Sequence, residues 1–205
     1  PCASHYDGGE APVLVLPGFL ASDGSTRALR RTLNAANYRA FGWHQGRNFG
    51  VKASMLDQID RRIDEIGAIA PGKVRLIGWS LGGLYAREYA KYAPHRIDRV
   101  ITLGTPFSGD MRANNAWRLY ELVARHPVDQ PPLPCVLTEK PPVPTFALWS
   151  RRDGVISPAS ARGRAGERDH AVEVGCGHLE LTSSIAALEA IFDALEYEDK
   201  AAGQA

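Results

Sequence analysis

Short apolar runs alternate along the chain with segments in which apolar residues recur at helical spacing. Six of the apolar runs are typical of strands, namely residues 11–18, 38–43, 73–79, 99–107, 144–150 and 170–175. Amphipathic helices are predicted between them, for example where Leu56, Ile59, Ile63 and Ile66 fall on one face. Strands that alternate with helices form βαβ units. We therefore predict a single α/β domain over residues 1–205, with about six mostly parallel strands and helices on both faces.

One stretch between the fourth and fifth predicted strands breaks this alternation. Residues 127–144 hold seven of the chain's 14 prolines, a density that excludes a persistent helix or central strand. Together with a helix-like segment at 112–126, they predict a small lid-like insertion at about 111–143. Trp117 and Tyr120 help to make that helix apolar on more than one face. They either line a substrate cleft or simply pack on the domain.

Composition and charge narrow the function classes. The chain has 24 basic and 23 acidic side chains, a net charge of +1 and no basic stripe, which argues against a nucleic-acid binder. No apolar run approaches the ~20 residues needed for a transmembrane segment. Cys2, Cys135 and Cys176 form no CxxC pair, so we predict no metal site and favour the cytoplasm, with one disulfide left open. A secreted or periplasmic location also stays open, because the chain begins with Pro1 rather than methionine.

A candidate nucleophile lies in the segment GWSLG, residues 78–82, which fits the pattern GxSxG. In that motif small flanking residues let the backbone turn so tightly that the serine is exposed at the top of a sheet. Here the match falls where a predicted strand meets a predicted helix with almost no loop between them. We therefore predict that Ser80 is a nucleophile at a strand-to-helix turn rather than an incidental loop serine.

A serine hydroxyl needs a base to take its proton, and the chain has six histidines. His178 follows the sixth predicted strand, so it should lie at the same edge of the sheet as Ser80. His44 is its rival because it follows the second strand. If His178 is the base, we expect His44 to line the substrate cleft. The remaining histidines fall at the opposite edge, in the amino-terminal tail or at a helix end.

The base needs an acid to orient it, and the reaction needs donors for the oxyanion. Asp153 follows the fifth strand, which gives the chain order serine, aspartate, histidine. For the oxyanion we predict the backbone N–H of Leu81, next to the nucleophile, and that of Phe19 in the turn after the first strand. Leu20 is the alternative to Phe19.

Two further expectations concern residues around the predicted cleft. Trp79, next to the nucleophile, is a candidate to line it. In the segment that follows the second strand, Arg47 or Asn48 is a candidate to hold the insertion in place.

Segments spread over nearly the whole chain resemble the α/β-hydrolase fold, and within it the bacterial lipase and carboxylesterase branch. In order they are VLVLPGF, GWHQGRNFG, LIGWSLGGLYAREYA, VITLGTPFSGD, PVPTFALWSRRDGVI and GCGHLEL. The resemblance implies a triad of Ser80, His178 and Asp153 that acts through an acyl-enzyme, with Phe19 and Leu81 as the oxyanion hole. It also implies a small-molecule or lipid-like ester as substrate and neither a metal nor another cofactor.

The chain departs from this family's pattern in two places. Many members have His-Gly where this chain has Pro17 and Gly18, and only ten residues precede the first predicted strand. We therefore expect the antiparallel strands that open larger hydrolases to be missing, although trimming upstream of Pro1 would give the same pattern. The chain is similar to a compact member with a small cap. Such a cap favours short to medium acyl esters. An acyltransferase or thioesterase with the same triad, or a catalytically silent binding domain, are the alternatives.

Overall fold

A six-stranded sheet forms the centre of the molecule. The structure, a computed structural model, describes residues 2–110 and 135–198. The strands are β1 (Pro12–Leu16), β2 (Arg39–Gly42), β3 (Val74–Trp79), β4 (Ile97–Leu103), β5 (Thr145–Trp149) and β6 (His170–Glu173). Their order is β2-β1-β3-β4-β5-β6, and every neighbouring pair is parallel. The predicted α/β class with about six mostly parallel strands is confirmed.

Helices cover both faces of the sheet, as the sequence predicts. They are α1 (Arg27–Ala35), α2 (Met55–Gly67), α3 (Leu81–Tyr92), α4 (Pro158–Arg162) and α5 (Ile185–Glu196), with short 3-10 turns at Cys2–His5, Pro94–Arg96 and His178–Thr182. One buried cluster joins the sheet to α1 and α5, and a second joins it to α2 and α3. The side chains of β1 alternate between the two, with Val13 and Val15 in the first and Leu14 and Leu16 in the second.

The strand order creates a crevice at the carboxyl edge of the sheet. The chain leaves β1 towards β2 on one side, whereas it leaves β3 towards β4 on the other side. At such a switch point the two connections diverge, and the gap between them is where ligands bind in open α/β sheets. The turn after β1 and the residue after β3, which is Ser80, are therefore placed at the same crevice.

The last part of the predicted insertion packs against α3. The side chain of Arg87, 1% exposed, donates to the carbonyl oxygens of Leu137, Glu139 and Glu167 at 3.3, 3.0 and 2.9 Å. Its guanidinium also lies 4.1 Å from the centre of the Phe107 ring. Burial lowers the pKa of Arg87 to about 10. Arg87 thus fixes the end of the insertion to the helix that follows Ser80.

Two features bear on expectations about cysteines and membranes. Among the described side chains, Cys135 and Cys176 are free thiols and are not joined to each other. Within the described ranges no helix combines the length and the apolar composition that crossing a bilayer requires.

Candidate active site

Ser80 lies on a strained turn between β3 and α3. Its φ and ψ are 53° and −119°, a conformation that L-residues other than glycine rarely adopt. The surrounding glycines are required by close packing. A side chain at Gly78 would collide with Gly83, one at Gly82 with the Leu16 carbonyl, and one at Gly83 with Thr105. The glycines of the motif therefore let α3 begin directly against the strands, which holds the serine at the edge of the sheet.

Hydrogen bonds fix this turn to the end of β4. The Ser80 N–H donates to the Leu103 carbonyl at 2.8 Å, and the Thr105 hydroxyl donates to the Ser80 carbonyl at 2.9 Å. The apolar run at 99–107 predicts a longer strand than the structure shows, because β4 ends at Leu103 and the chain turns at Gly104, where φ is +55°. This turn brings Thr105 beneath the serine.

His178 and Asp153 form a buried pair at the same edge. His178 Nδ1 is 2.8 Å from Asp153 Oδ2, and the two residues are 6% and 4% exposed. Asp153 Oδ1 accepts the N–H groups of Val155 and Ile156 at 3.0 and 2.6 Å, so the carboxylate is held from both sides. Because the Asp153 carboxylate can only accept a hydrogen bond, Nδ1 of His178 carries the proton that it donates. The neutral imidazole therefore has its lone pair on Nε2.

Gly104 makes room for this pair. A Cβ at this position would lie 2.8 Å from Asp153 Oδ2 and 3.1 Å from His178 Nδ1. The same Cβ would lie 2.6 Å from Leu181 Cδ1, so a side chain here would crowd that leucine together with the carboxylate and the imidazole. Gly104 therefore satisfies two requirements at once, the positive φ of the turn and the space that the pair occupies.

Trp79 supports the histidine from the sheet. Its indole N–H donates to the His178 carbonyl at 3.2 Å, and the two ring centres are 5.7 Å apart. Trp79 is 8% exposed and belongs to the buried cluster on the α1 and α5 side. The structure thus places it beside the base. Its role as a substrate contact stays a prediction.

The turn after β1 lies against Ser80, the candidate nucleophile. A Cβ at Gly18 would be 3.2 Å from Ser80 Cβ, so the turn that carries Phe19 and Leu20 borders the serine. The Leu20 N–H, which the sequence offers as the alternative oxyanion donor to that of Phe19, already donates to the Asn48 carbonyl at 2.7 Å. Leu81 is the first residue of α3, where backbone N–H groups have no partner within the helix.

Asn48 is a buried residue of this site that sequence reasoning did not assign to it. Its Nδ2 donates to the Pro17 carbonyl at 2.9 Å, while Oδ1 accepts the Tyr85 hydroxyl at 2.9 Å and the Gly50 N–H at 3.1 Å. Its backbone N–H donates to the Ala21 carbonyl at 2.8 Å. The sequence offers Arg47 or Asn48 as a support for the insertion. In the structure Asn48, only 1% exposed, joins the turn after β1 to α3. Residues 111–134 of the insertion lie outside the described ranges, so a contact of Arg47 or Asn48 with them stays a prediction.

The other residues predicted to line the cleft are His44, Trp117 and Tyr120. His44 is exposed, its N–H donates to Asp23 Oδ2 at 3.1 Å, and its Nε2 is 3.4 Å from Arg62 Nη2. Its ring therefore lies beside Arg62 of α2. Trp117 and Tyr120 fall in residues 111–134, outside the described ranges.

Metal binding has no obvious place in this part of the chain. Among residues 2–110 and 135–198, no three His, Cys, Asp or Glu side chains are grouped so that they could hold an ion. The chemistry at the described edge is that of a hydroxyl, an imidazole, a carboxylate and backbone amides.

Comparison with known families agrees with this geometry. The model of the alpha/beta hydrolase fold family matches residues 11–130, more than half of the chain. The chain belongs to the α/β-hydrolase family. The match includes β1, the strained turn at Ser80 and β4, so the family assignment rests on the same elements that form the candidate site.

Similarity to individual proteins is partial. A pimeloyl-[acyl-carrier protein] methyl ester esterase of Aliivibrio fischeri is 37% identical over 59 residues, which is 29% of this chain and 22% of that protein. A lysosomal thioesterase PPT2 homolog of Drosophila melanogaster is 28% identical over 137 residues, 56% of this chain and 46% of that protein. The chain thus spans less than half the length of these curated relatives.

A solved structure shows the same fold over nearly the whole chain. A monoacylglycerol lipase of Paleococcus ferrophilus superposes with a TM-score of 0.64 and covers 93% of this chain and 96% of its own. Its sequence is 17% identical. This likeness shows that the fold is shared.

Proposed function

We propose that the protein is a serine carboxylic-ester hydrolase, an esterase or lipase, with Ser80 as nucleophile, His178 as general base and Asp153 as the acid that orients the base. The observation that carries the proposal is the strained turn of Ser80 at the sheet edge where His178 and Asp153 are paired at 2.8 Å. Strain at a non-glycine residue persists only where the surrounding structure maintains it, and such residues cluster at active sites.

The proposed reaction proceeds through an acyl-enzyme. His178 Nε2 takes the Ser80 proton while Oγ attacks the ester carbonyl, and the negative charge on the carbonyl oxygen is stabilised by the N–H groups of Phe19 and Leu81. The imidazolium then gives its proton to the leaving alcohol as the ester bond breaks. A water molecule, deprotonated by the same nitrogen, attacks the acyl-enzyme and releases the carboxylic acid and the free serine.

The names of the relatives support acyl chemistry of this kind. One is described as a methyl ester esterase and another as a thioesterase. Because the second similarity extends over 56% of this chain, thioester hydrolysis by the same triad is the second candidate function. Comparing turnover of an ester and the matching thioester, with and without added alcohol, separates an esterase, a thioesterase and an acyltransferase.

Labelling with a fluorophosphonate probe tests the nucleophile. We expect the native protein to be labelled and Ser80→Ala to be unlabelled, whereas Ser183→Ala, which removes an exposed serine hydroxyl, is labelled normally. Absence of labelling in the native protein, or equal labelling of Ser80→Ala, would show that the domain is catalytically silent or uses another residue.

A second pair of variants tests the base. We expect His178→Asn to lower kcat by several orders of magnitude, because the base and the nucleophile act as a unit. His44→Ala should leave most of the activity, because its ring lies beside Arg62. If His44→Ala removes the activity and His178→Asn does not, the assignment of the base is wrong.

We also propose that the enzyme prefers short to medium acyl chains, since the predicted insertion at about 111–143 is a small cap. p-Nitrophenyl butyrate should then be hydrolysed faster than the palmitate. Much faster hydrolysis of the palmitate would contradict this.

A further inference from the structure

A cleft of about 540 Å³ with both polar and apolar walls lies at the carboxyl edge of the sheet, beside the loop that carries Asp153. Its walls are the segment after β4 at 108–110, the end of β5, and α4 with the turn that follows it at 157–164. The cleft is within the size range of small-molecule binding sites. Neither the proposed triad nor the proposed oxyanion donors line this cleft, so the ester-hydrolysis step does not account for it.

The cleft concentrates positive charge in a chain whose net charge is only +1. Arg151, Arg162 and Arg164 line it, and the guanidinium groups of the first two lie 5.9 and 5.8 Å from the Trp149 ring centre. Arg151 pairs with Glu173 at 2.9 Å. In the described part of the chain the exposed side chains of Arg162 and Arg164 have no carboxylate partner, so both guanidinium groups are available to an anion.

The negative groups near the cleft do not cancel this charge. Asp110 is the single carboxylate among the described lining residues. Glu167 accepts the backbone N–H of Arg164 at 2.7 Å, but its side chain is not part of the wall. Because Glu173 already pairs with Arg151, the wall offers two guanidinium groups without a carboxylate partner, those of Arg162 and Arg164. This arrangement is suited to a phosphate, which guanidinium groups bind through two parallel hydrogen bonds.

The cleft is placed to receive part of a substrate that reacts at Ser80. The Ser80 N–H binds the Leu103 carbonyl of β4, and Leu103 is paired with Leu148, which precedes Trp149. Two strand spacings of ~4.8 Å put the end of β5 roughly 10 Å from the nucleophile. The Ser108 N–H also donates to the Ser160 carbonyl at 3.2 Å, which ties two walls of the cleft together.

We propose that this cleft binds a phosphate group on the alcohol or thiol half of the substrate, an inference that rests on the proposed ester hydrolysis at Ser80. The arginine side chains of the wall favour an anionic group over an acyl chain. The acyl chain therefore lies elsewhere, and the leaving group extends towards Trp149. The substrate class is then an ester or thioester whose leaving group carries a phosphate.

The test compares two esters that differ in one phosphate, 1-butyrylglycerol and 1-butyrylglycerol 3-phosphate. We expect the native enzyme to favour the phosphorylated ester in kcat/KM by about tenfold or more, the effect of one or two charge-assisted hydrogen bonds. In the double variant Arg162→Ala/Arg164→Ala this ratio should fall to about one. Arg31→Ala, which removes one exposed arginine of α1, should leave the ratio unchanged.

Salt and free phosphate complete the test. The preference should shrink at about 1 M salt, where charges are screened within about 3 Å. Inorganic phosphate should inhibit turnover of the phosphorylated ester more than that of the neutral one. If phosphate binds but the phosphorylated ester is not preferred, the cleft takes a free anion and the proposed substrate class is wrong.

The possible failures are distinguishable. Turnover of both esters at equal kcat/KM, or an unchanged ratio in the double variant, overturns the phosphate site and leaves ester hydrolysis standing. Absence of turnover of either ester, together with absence of fluorophosphonate labelling at Ser80, overturns the proposed function and with it the assignment of this cleft to a substrate.

Discussion

Replacing Asn48 by alanine tests whether the turn after β1, which carries Phe19 and is the proposed oxyanion loop, is positioned by a residue that does not touch the substrate. In the structure the Asn48 side chain makes three hydrogen bonds, to the Pro17 carbonyl, the Tyr85 hydroxyl and the Gly50 N–H. Its backbone makes two more, to Leu20 and Ala21. Alanine keeps the backbone contacts and removes the three side-chain contacts, so the loop loses its connection to α3.

The size of the effect follows from these contacts. Each buried group that loses its partner costs about 1–3 kcal/mol, and water can reach some of them, so we expect unfolding free energy to fall by about 2–4 kcal/mol. In proteases of similar chemistry, loss of one oxyanion donor lowers kcat by about 10²–10³. If the Phe19 amide shifts with the loop, kcat of Asn48→Ala should fall by about 100-fold with a smaller change in KM.

The assay is steady-state kinetics on p-nitrophenyl butyrate, with circular dichroism to show that the variant is folded. Tyr85→Phe is the matched control, because it removes one of the three hydrogen bonds and keeps the bond from Asn48 to Pro17. We expect this control to lose about 1 kcal/mol of stability and to keep kcat within about threefold of the native value.

A purely structural role for Asn48 would give a different result. The folded Asn48→Ala variant would then melt at a lower temperature but keep its kcat at a temperature where it is fully folded. That outcome would refute the idea that Asn48 positions the oxyanion loop.

Three further predictions follow from other contacts. Gly104→Ala should lower kcat at least tenfold, because the added Cβ would collide with the pair of Asp153 and His178. Gly9 has a similar φ but no atom within 4 Å of an added Cβ, so Gly9→Ala should lower stability and leave kcat unchanged. Equal kcat values in the two variants would contradict this. Arg87→Met should lower the unfolding free energy in urea by about 3 kcal/mol, since three carbonyl oxygens lose a buried donor, and an unchanged midpoint would show that water replaces it. Burial by itself would raise the pKa of Asp169, but hydrogen bonds from Lys140 and Thr145 outweigh this effect, and the pKa is lowered from its usual value of 3.8. The ionised carboxylate therefore stabilises the folded protein above pH 3.8, and this stabilisation is lost as the pH falls below that value. Asp169→Asn should therefore be less stable than the native protein at neutral pH, and thermal melts at acid pH should show a smaller difference in stability. A difference that does not change with pH would show that the charge contributes nothing.

Much of the fold is predictable because its determinants are periodic and local. Continuous apolar runs bounded by turn residues mark strands that are buried on both faces, and helical spacing marks the segments between them. Parallel strands place all their carboxyl ends at one edge. The positions of Ser80, Asp153 and His178 relative to the strands are therefore enough to predict that they share that edge.

Strand ends are less well predicted because they depend on neighbours. The apolar run at 99–107 continues past Leu103, yet the chain leaves the sheet at Gly104, where the Asp153 and His178 pair fills the space. This pair comes from segments about 50 and 75 residues further along the chain, a separation that no local pattern encodes.

Polar residues of loops show the same limit. Hydropathy alone predicts Asn48 and Arg87 to be exposed, and both are 1% exposed in the structure. Their burial arises where three separate segments meet and supply complementary donors and acceptors. The position of His44 likewise depends on distant segments, since its backbone N–H donates to Asp23 and its ring lies beside Arg62.

The sequence by itself determined the α/β class, the strained serine turn and the order of the candidate triad, because each depends on spacing along the chain. Only the tertiary structure decided that Asn48 supports the turn after β1, that Gly104 makes room for the pair of Asp153 and His178, and that arginines gather in a cleft beside them. These features depend on contacts between distant segments, which are fixed by packing and hydrogen bonding rather than by periodicity.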